Sequence, residues 1–330
     1  MNRHSALWCC AVALVLMATL RLSAAGPAGT GPLSFLLLTE TGRRPVPTAP
    51  TIPATEPEPT DNFTSPTQTT QPTEREEPPE AVLSFSSGEL SAVHMRYGCD
   101  LRPDLESLLT QALDWNLKQE EPTVLILHTH GTESFLGEYR QWTPFRTTDP
   151  DYNMLRIGRE VARVLELGGI RVIRDTTLHD YPDYNSAYSS ARKSIRQYLE
   201  EYPSIRLVLD LHRDASDDYV NQLTTHTTVA GQSSSRLMFV VGTDAGGLYH
   251  PDWVENLSLA LKLTVLLEGE NPGMTRGISL REQRFNMDLT PGSLLVEVGA
   301  AGDTLEQALL AANALAQAVL ALSGGAAGNS

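Results

Sequence analysis

The chain has 330 residues, 41% of them hydrophobic and 20% charged, with a formal net charge of −15. Six units of that charge sit in one stretch, where seven acids from Glu56 to Glu80 face only Arg75. The remainder is mildly acidic and has no basic run, so no nucleic-acid partner is expected.

In chain order, the first feature is an uninterrupted apolar run from Ala6 to Leu20, after Arg3 and His4. Such a run suits a signal-peptide core or, extended through Leu22 to Ala25 with Arg21 snorkelling, a short membrane anchor. Residues 1–26 are therefore expected to be a membrane anchor or signal segment, and either form exports the rest. Residues 27–82 hold 12 of the 21 prolines among Thr, Glu and Gln, and should form a disordered linker. Cys9 and Cys10 fall in the apolar run, which leaves Cys99 alone in the exported part. An intrachain disulfide and a cysteine-based zinc site are both ruled out there.

Residues 83–330 have the size of a single domain. Thr123–Leu127 reads as a buried strand, and Met154, Ile157, Val161 and Val164 as a helical stripe stopped at Gly168-Gly169. Ile170–Arg174 is the next strand, Tyr188 to Tyr198 the next helix and Ile205–Leu211 the third strand. Thr224–Val229 and Leu237–Val241 are β-rich and read as an inserted hairpin. Val254 to Val265 is helical, and Ser293–Val298 is a strand. A last helix runs to about Leu322, with Asp303 and Glu306 as its capping box. This alternation predicts an α/β domain, a mostly parallel sheet flanked by helices.

Three buried runs end in polar groups: TVLIL enters His128-Thr129-His130-Gly131-Thr132-Glu133, IRLVLDL enters His212-Arg213-Asp214, and SLLV enters Glu297. Ligands bind beyond the carboxyl ends of strands in such sheets. Catalytic zinc takes three His or carboxylate ligands and keeps one open position, a set that His130, Glu133 and His212 supply. Alternation puts His128 on the side of His130, as an alternative ligand or a donor that orients one. Glu297 interrupts an apolar strand, where a carboxylate is costly unless paired, and is expected to be the general base and acid. Asp210 can hold an imidazole, and Arg213 and Asp214 can orient His212 or touch substrate. Arg276, Arg284 and Asn286 fall in what reads as the loop before the last strand, suited to carboxylate or amide groups. His94, His179, His226 and His250 carry no partner pattern.

HTHGTESF, DLHRDA, Val241-Gly242-Thr243, Trp253-x-x-Asn256-Leu257, Arg276-Gly277-Ile278, Phe285-Asn286-x-Asp288-Leu289-x-Pro291, Leu295–Gly299 and Asp303–Glu306 occur in that order. Together they resemble the stage II sporulation protein P family. The resemblance implies a zinc-amidase-like fold and a zinc-dependent N-acetylmuramoyl-L-alanine amidase. Such an enzyme strips stem peptides from peptidoglycan, and also cuts crosslinks, during septal wall thinning and engulfment in sporulation. It implies zinc on His130, Glu133 and His212, with Glu297 as the catalytic glutamate. It also implies the stage II sporulation proteins D and M as partners, and a single-pass location with the domain outside the cytoplasm. Two departures stand out: Ala300 replaces a frequent glycine, and His128 is not always histidine in the family. The same residues would serve a zinc carboxypeptidase or other zinc peptidase, or a non-catalytic wall-binding scaffold.

Overall fold

The computed structural model describes residues 83–113, 115–137, 145–216 and 222–324. The anchor or signal segment expected over 1–26, and the linker expected over 27–82, lie outside them. Nine strands are present among the described residues: β1 (Met95–Tyr97), β2 (Val124–Leu127), β3 (Val172–Arg174), β4 (Leu207–Asp214), β5 (His226–Val229), β6 (Gln232–Ser235), β7 (Leu237–Gly242), β8 (Thr275–Arg281) and β9 (Ser293–Ala300). The helices are α1 (Leu105–Thr110), α2 (Met154–Leu167), α3 (Ala187–Glu201), α4 (Trp253–Glu270) and α5 (Leu305–Gly324). Seven strands form one sheet in the order β1-β8-β7-β9-β4-β2-β3, and β5 pairs with β6 as a separate hairpin.

Within the sheet only β7–β9 is antiparallel; the other neighbours run parallel. The carboxyl ends of β2, β4 and β9 therefore gather beside the amino ends of β7 and β8. Strand parity decides what each face carries. Val124 and Ile126 of β2, with Leu207, Leu209 and Leu211 of β4, join the main core with residues of α2, α4 and α5. Leu125, Leu127 and Val208 pack instead with Ala191 and Ile195 of α3. Burying one such side chain stabilises the fold by about 1.5–3 kcal/mol, so this double-sided burial holds the strands in register.

The helix boundaries follow local chemistry. Asn153 caps α2 by accepting from the Leu155 amide, and α2 ends where the Gly168 amide reaches Val164 and Gly169 takes φ +86. The cap of α5 differs from the expectation. Thr304 and Gln307 exchange the capping-box bonds, while Asp303 is drawn away to Thr225 and the Ala300 amide. By length and composition alone α5 could cross a membrane; here Ala308, Ala311, Leu315 and Val319 sit in the core beside α2 and α4.

Two other expectations are corrected. The hairpin forms from β5 and β6, whereas Leu237–Gly242 is the central strand β7, buried along its whole length. Arg276-Gly277-Ile278 is not loop but part of β8. Gly277 at φ +87 sits where β7 and β8 shift register, and a Cβ there would lie 1.9 Å from the His94 carbonyl oxygen. Only glycine fits that approach.

Candidate metal and catalytic site

β2 ends at Leu127, and the next segment crosses the end of the sheet. Ile126 and His128 share the α2 face. His128 Nδ1 lies 3.1 Å from the Leu211 carbonyl oxygen, and Gly158 of α2 makes room for its ring, since a Cβ there would sit 2.4 Å from Nε2. Burial lowers its pKa to about 4, so His128 is neutral. It does not line the candidate cavity, which corrects the expectation that it joins His130. Alternation stops with the strand: at His130 the chain is already turning, with the Glu133 amide donating to the His130 carbonyl at 3.1 Å. That turn swings His130 to the α3 side. There its ring stacks on Tyr184 at 4.5 Å and meets Tyr188 and His212 edge-on at 5.6 and 5.4 Å. Its Nδ1 is buried without a hydrogen-bond partner, and burial lowers its pKa as well.

Glu133 is buried among cations. Its carboxylate accepts from the Arg213 amide at 3.2 Å and lies 3.6 to 3.7 Å from Arg146, Arg213 and His212 Nδ1. Burial opposes its charge, yet these neighbours prevail and hold its pKa below the usual carboxylate range. Asp210, two residues before His212 on the same face of β4, accepts from the Thr129 amide and hydroxyl and lies 3.0 Å from His212 Nε2. Burial would also discharge His212, but Asp210, Glu133 and Glu297 outweigh it and push its pKa up to about 9.

Glu297 is the register partner of His212 on β9. Its Oε2 is buried with no hydrogen-bond partner, and burial, reinforced by Glu133 and Asp214, pushes its pKa up to about 8. His130, Glu133, His212 and Glu297 all line one cavity of about 370 Å³, together with Tyr184, Tyr188, Arg213, Asp214 and Phe285. Asp214 is tied to Arg276 at 2.8 Å. Arg213 spans to the carbonyls of Ser134 and Phe145, fixing the segment that carries Glu133. Arg284 and Asn286 hold a loop and do not line the cavity. Arg284 reaches Asp288 and the Tyr249 carbonyl, and the Asn286 amide donates to the Tyr188 carbonyl at 2.8 Å. Arg192 of α3 forks onto Asp288 at 2.7 and 2.8 Å, and between these ties Phe285 and Asn286 take left-handed φ of 51° and 59°. Phe285 is thereby turned into the cavity.

A divalent cation suits this donor set in kind. His130 offers an unclaimed buried nitrogen, Glu133 is an ionised carboxylate, and the surrounding acids favour positive charge at His212. The donors are not drawn into a shared sphere: among the described residues, no three His, Cys, Asp or Glu side chains stand close enough to hold an ion together.

Four lining or supporting residues escaped the sequence analysis. Tyr184 and Tyr188 flank His130. Arg146 lies over the Tyr184 ring and pairs with buried Asp180 at 2.8 Å, and Asp180 stands 3.9 Å from His130 Nδ1. Asp180 lies in a turn and Tyr184 in a short 3-10 turn ahead of α3, so no helical spacing links them to Tyr188.

A family model described as Stage II sporulation protein P matches residues 50–320. A curated relative, Stage II sporulation protein P of Bacillus subtilis (strain 168), is 28% identical over 214 residues, which span 60% of this chain and 50% of that protein. Among solved structures, an N-acetylmuramyl-L-alanine amidase from Mycobacterium smegmatis is similar at TM-score 0.37 and 12% identity, covering 63% of this chain and 99% of that one. An N-acetylmuramoyl-L-alanine amidase of Nostoc punctiforme is similar at TM-score 0.33 and 14% identity, covering 61% and 94%.

Proposed function

The chain belongs to the stage II sporulation protein P family, and from that premise we propose that it is an exported peptidoglycan hydrolase of sporulation. Its reaction is zinc-dependent cleavage of the amide between N-acetylmuramic acid and the stem peptide, with peptide crosslinks as a further substrate. The observation that carries this reading is the rung shared by His212 and Glu297, at the cavity that also receives His130 and Glu133. It sets a proton-accepting carboxylate beside a cation-ready donor set.

His130, Glu133 and His212 are the residues that would hold zinc. What zinc supplies when bound there is Lewis acidity toward the scissile carbonyl and toward water. Asp210 fixes the orientation of the His212 ring through Nε2. Glu297 takes a proton from the attacking water as the new C–O bond forms. It then passes that proton to the departing amine nitrogen as the C–N bond breaks, leaving a sugar carboxylate and a free stem peptide. Its buried position, on the rung beside His212, is where a proton carrier between water and amine has to stand. Tyr188 keeps its phenol proton, because burial and the nearby Asp210, Glu297 and Glu133 raise its pKa, so it offers a neutral donor at the cavity wall.

In this reading the N-terminal segment places the domain outside the cytoplasm, at a single-pass anchor or after secretion. The linker gives it reach across a wall at variable distance. Stage II sporulation proteins D and M are its expected partners, in septal thinning and engulfment. The deciding experiment is a digest of soluble disaccharide peptides followed by mass analysis. Free intact stem peptide and a peptide-free disaccharide are expected; release of single terminal amino acids would replace this reading by a zinc carboxypeptidase.

A further inference from the structure

A second cavity, of about 320 Å³, adjoins the first across a wall made by Arg146 and Tyr184, which line both. The wall is built rather than incidental. Arg146 is fixed by Asp180 at 2.8 Å and lies 4.7 Å from the Tyr184 ring centre, and Tyr184 in turn stacks on His130. A molecule in the second cavity is thus one aromatic ring away from the reacting groups. That spacing suits another part of the substrate being cut.

The proposed scissile amide has a saccharide on one side and a peptide on the other, and the two differ in chemistry. The saccharide presents flat C–H faces, hydroxyls and an N-acetyl group, and it carries no charge once its lactyl carboxyl is in the amide. The stem peptide carries free carboxylates. The second cavity matches the saccharide. Tyr181 and Tyr184 leave 61% and 52% of their surfaces exposed, Thr148 adds an exposed hydroxyl, and the charge of Arg146 is already answered by Asp180. Among the described residues lining it, Arg146 is the one cation, and Asp180 holds it. The first cavity differs: beyond the reacting groups it reaches Phe285 and the exposed Arg281.

We infer that the cavity formed by Tyr181, Tyr184, Thr148, Arg146 and Asp180 is a saccharide subsite, seating the N-acetylmuramic acid side of the substrate while the stem peptide runs past Phe285 toward Arg281. This inference rests on the amidase reading above, and it sets the direction in which the substrate lies. Tyr181 is a specificity residue rather than a catalytic one, because it lines only the second cavity.

The test uses the full chain and two probes: the free N-acetylglucosaminyl-N-acetylmuramic acid disaccharide with its lactyl carboxyl amidated, and the same disaccharide bearing a stem peptide. Removing an aromatic contact should weaken disaccharide binding, and raise KM for the disaccharide peptide, about two- to tenfold with kcat kept. Tyr181→Leu is expected to do this, Tyr181→Phe to behave as wild type, and Thr148→Trp to block the cavity with the same KM effect from a different side chain. Unchanged melting temperatures establish that the variants are folded. If wild type binds no disaccharide, or if Tyr181→Leu and Thr148→Trp both bind it as wild type does, the subsite is overturned. If the disaccharide binds and responds to both substitutions but the disaccharide peptide is not cleaved, the subsite stands and the amidase reading fails.

Discussion

His212 and Glu297 occupy one rung of the sheet, His212 on β4 and Glu297 on the parallel neighbour β9, with Met238 of β7 opposite Glu297 on its other side. Neighbouring strands lie about 4.8 Å apart, so backbone hydrogen bonds rather than a loop set the spacing of these two groups. A one-residue slip of β9 would turn Glu297 to the other face and bring Val296 or Val298 into the cavity. Burial of Leu294, Val296 and Val298 in the main core prevents that slip. The placement of the proposed proton carrier is thus a consequence of core packing.

His212→Ala should strip the site of metal. His212 stands between Asp210 and Glu133, and removing it takes away one of the three donors proposed for the metal while Glu133 keeps Arg146 and Arg213. Metal analysis of protein purified in zinc is expected to give one ion per wild-type chain and a strongly reduced content in the variant. A stoichiometry that stayed at one would remove His212 from the ligand set.

Gly277→Ala should destabilise the domain by about 3 kcal/mol, the cost of a left-handed non-glycine residue plus a backbone clash. The added Cβ would meet the His94 carbonyl, the acceptor of the Ile278 amide that starts the β1–β8 pairing. Thermal melting and amide exchange at Ile278 check this. An unchanged melting temperature would mean that β1 contributes nothing to the sheet.

Asp175 gives stability with a defined pH sign. Burial would raise its pKa, but His179 at 3.0 Å and bonds from Thr177 outweigh that and hold it at about 2, below its ordinary 3.8. A carboxylate depressed in the folded state contributes fully above the unfolded value, and that contribution fades as pH falls through the folded one. His179 also contacts Ser190 at 3.0 Å, so the pair anchors the start of α3 close to Tyr188. Asp175→Asn should cost about 1–2 kcal/mol at pH 7, shrinking between pH 4 and 2. Urea unfolding at several pH values measures this; a difference that does not change with pH would sink the account.

The legible parts of this fold are those whose signal is local. β2, β4 and β9 read as strands because their runs are dense in Val, Ile and Leu, with Asp210 and Glu297 as isolated polar breaks, and α2 shows a clean helical stripe. β7 was equally apolar, but its run lay beside a β-rich segment and read as half of a hairpin; burial on both faces marks it as a central strand. β8 was hidden because Arg276 and Gly277 break its pattern, and the reason for that glycine is a contact with His94, distant in sequence. The candidate site divides the same way. His130, Glu133, His212 and Glu297 stood out as polar groups at the ends of apolar runs. Arg146, Asp180 and Tyr184 come from connecting segments without periodicity, and Tyr188 sat in a helical stripe that reads as core. His128 was misplaced because alternation was extended past Leu127, where the strand ends.

Glu297→Gln is the most discriminating substitution. Glutamine keeps the shape and one carbonyl oxygen but cannot take a proton from water, and general acid–base groups contribute about 10²–10⁴-fold to rate. Hydrolysis is therefore expected to fall by that factor while zinc content stays at the wild-type value. Stability should hold, because glutamine keeps the size of the side chain and a polar atom in the same buried position. The rival roles give different patterns. A metal ligand would take zinc away together with activity. A structural partner of Arg276, whose Nη1 is already bound to Asp214, would lower the melting temperature and leave turnover largely intact once folded. Zinc content, melting temperature and turnover on this one variant separate the three, and a folded, zinc-loaded and fully active Glu297→Gln would overturn the proton-transfer role.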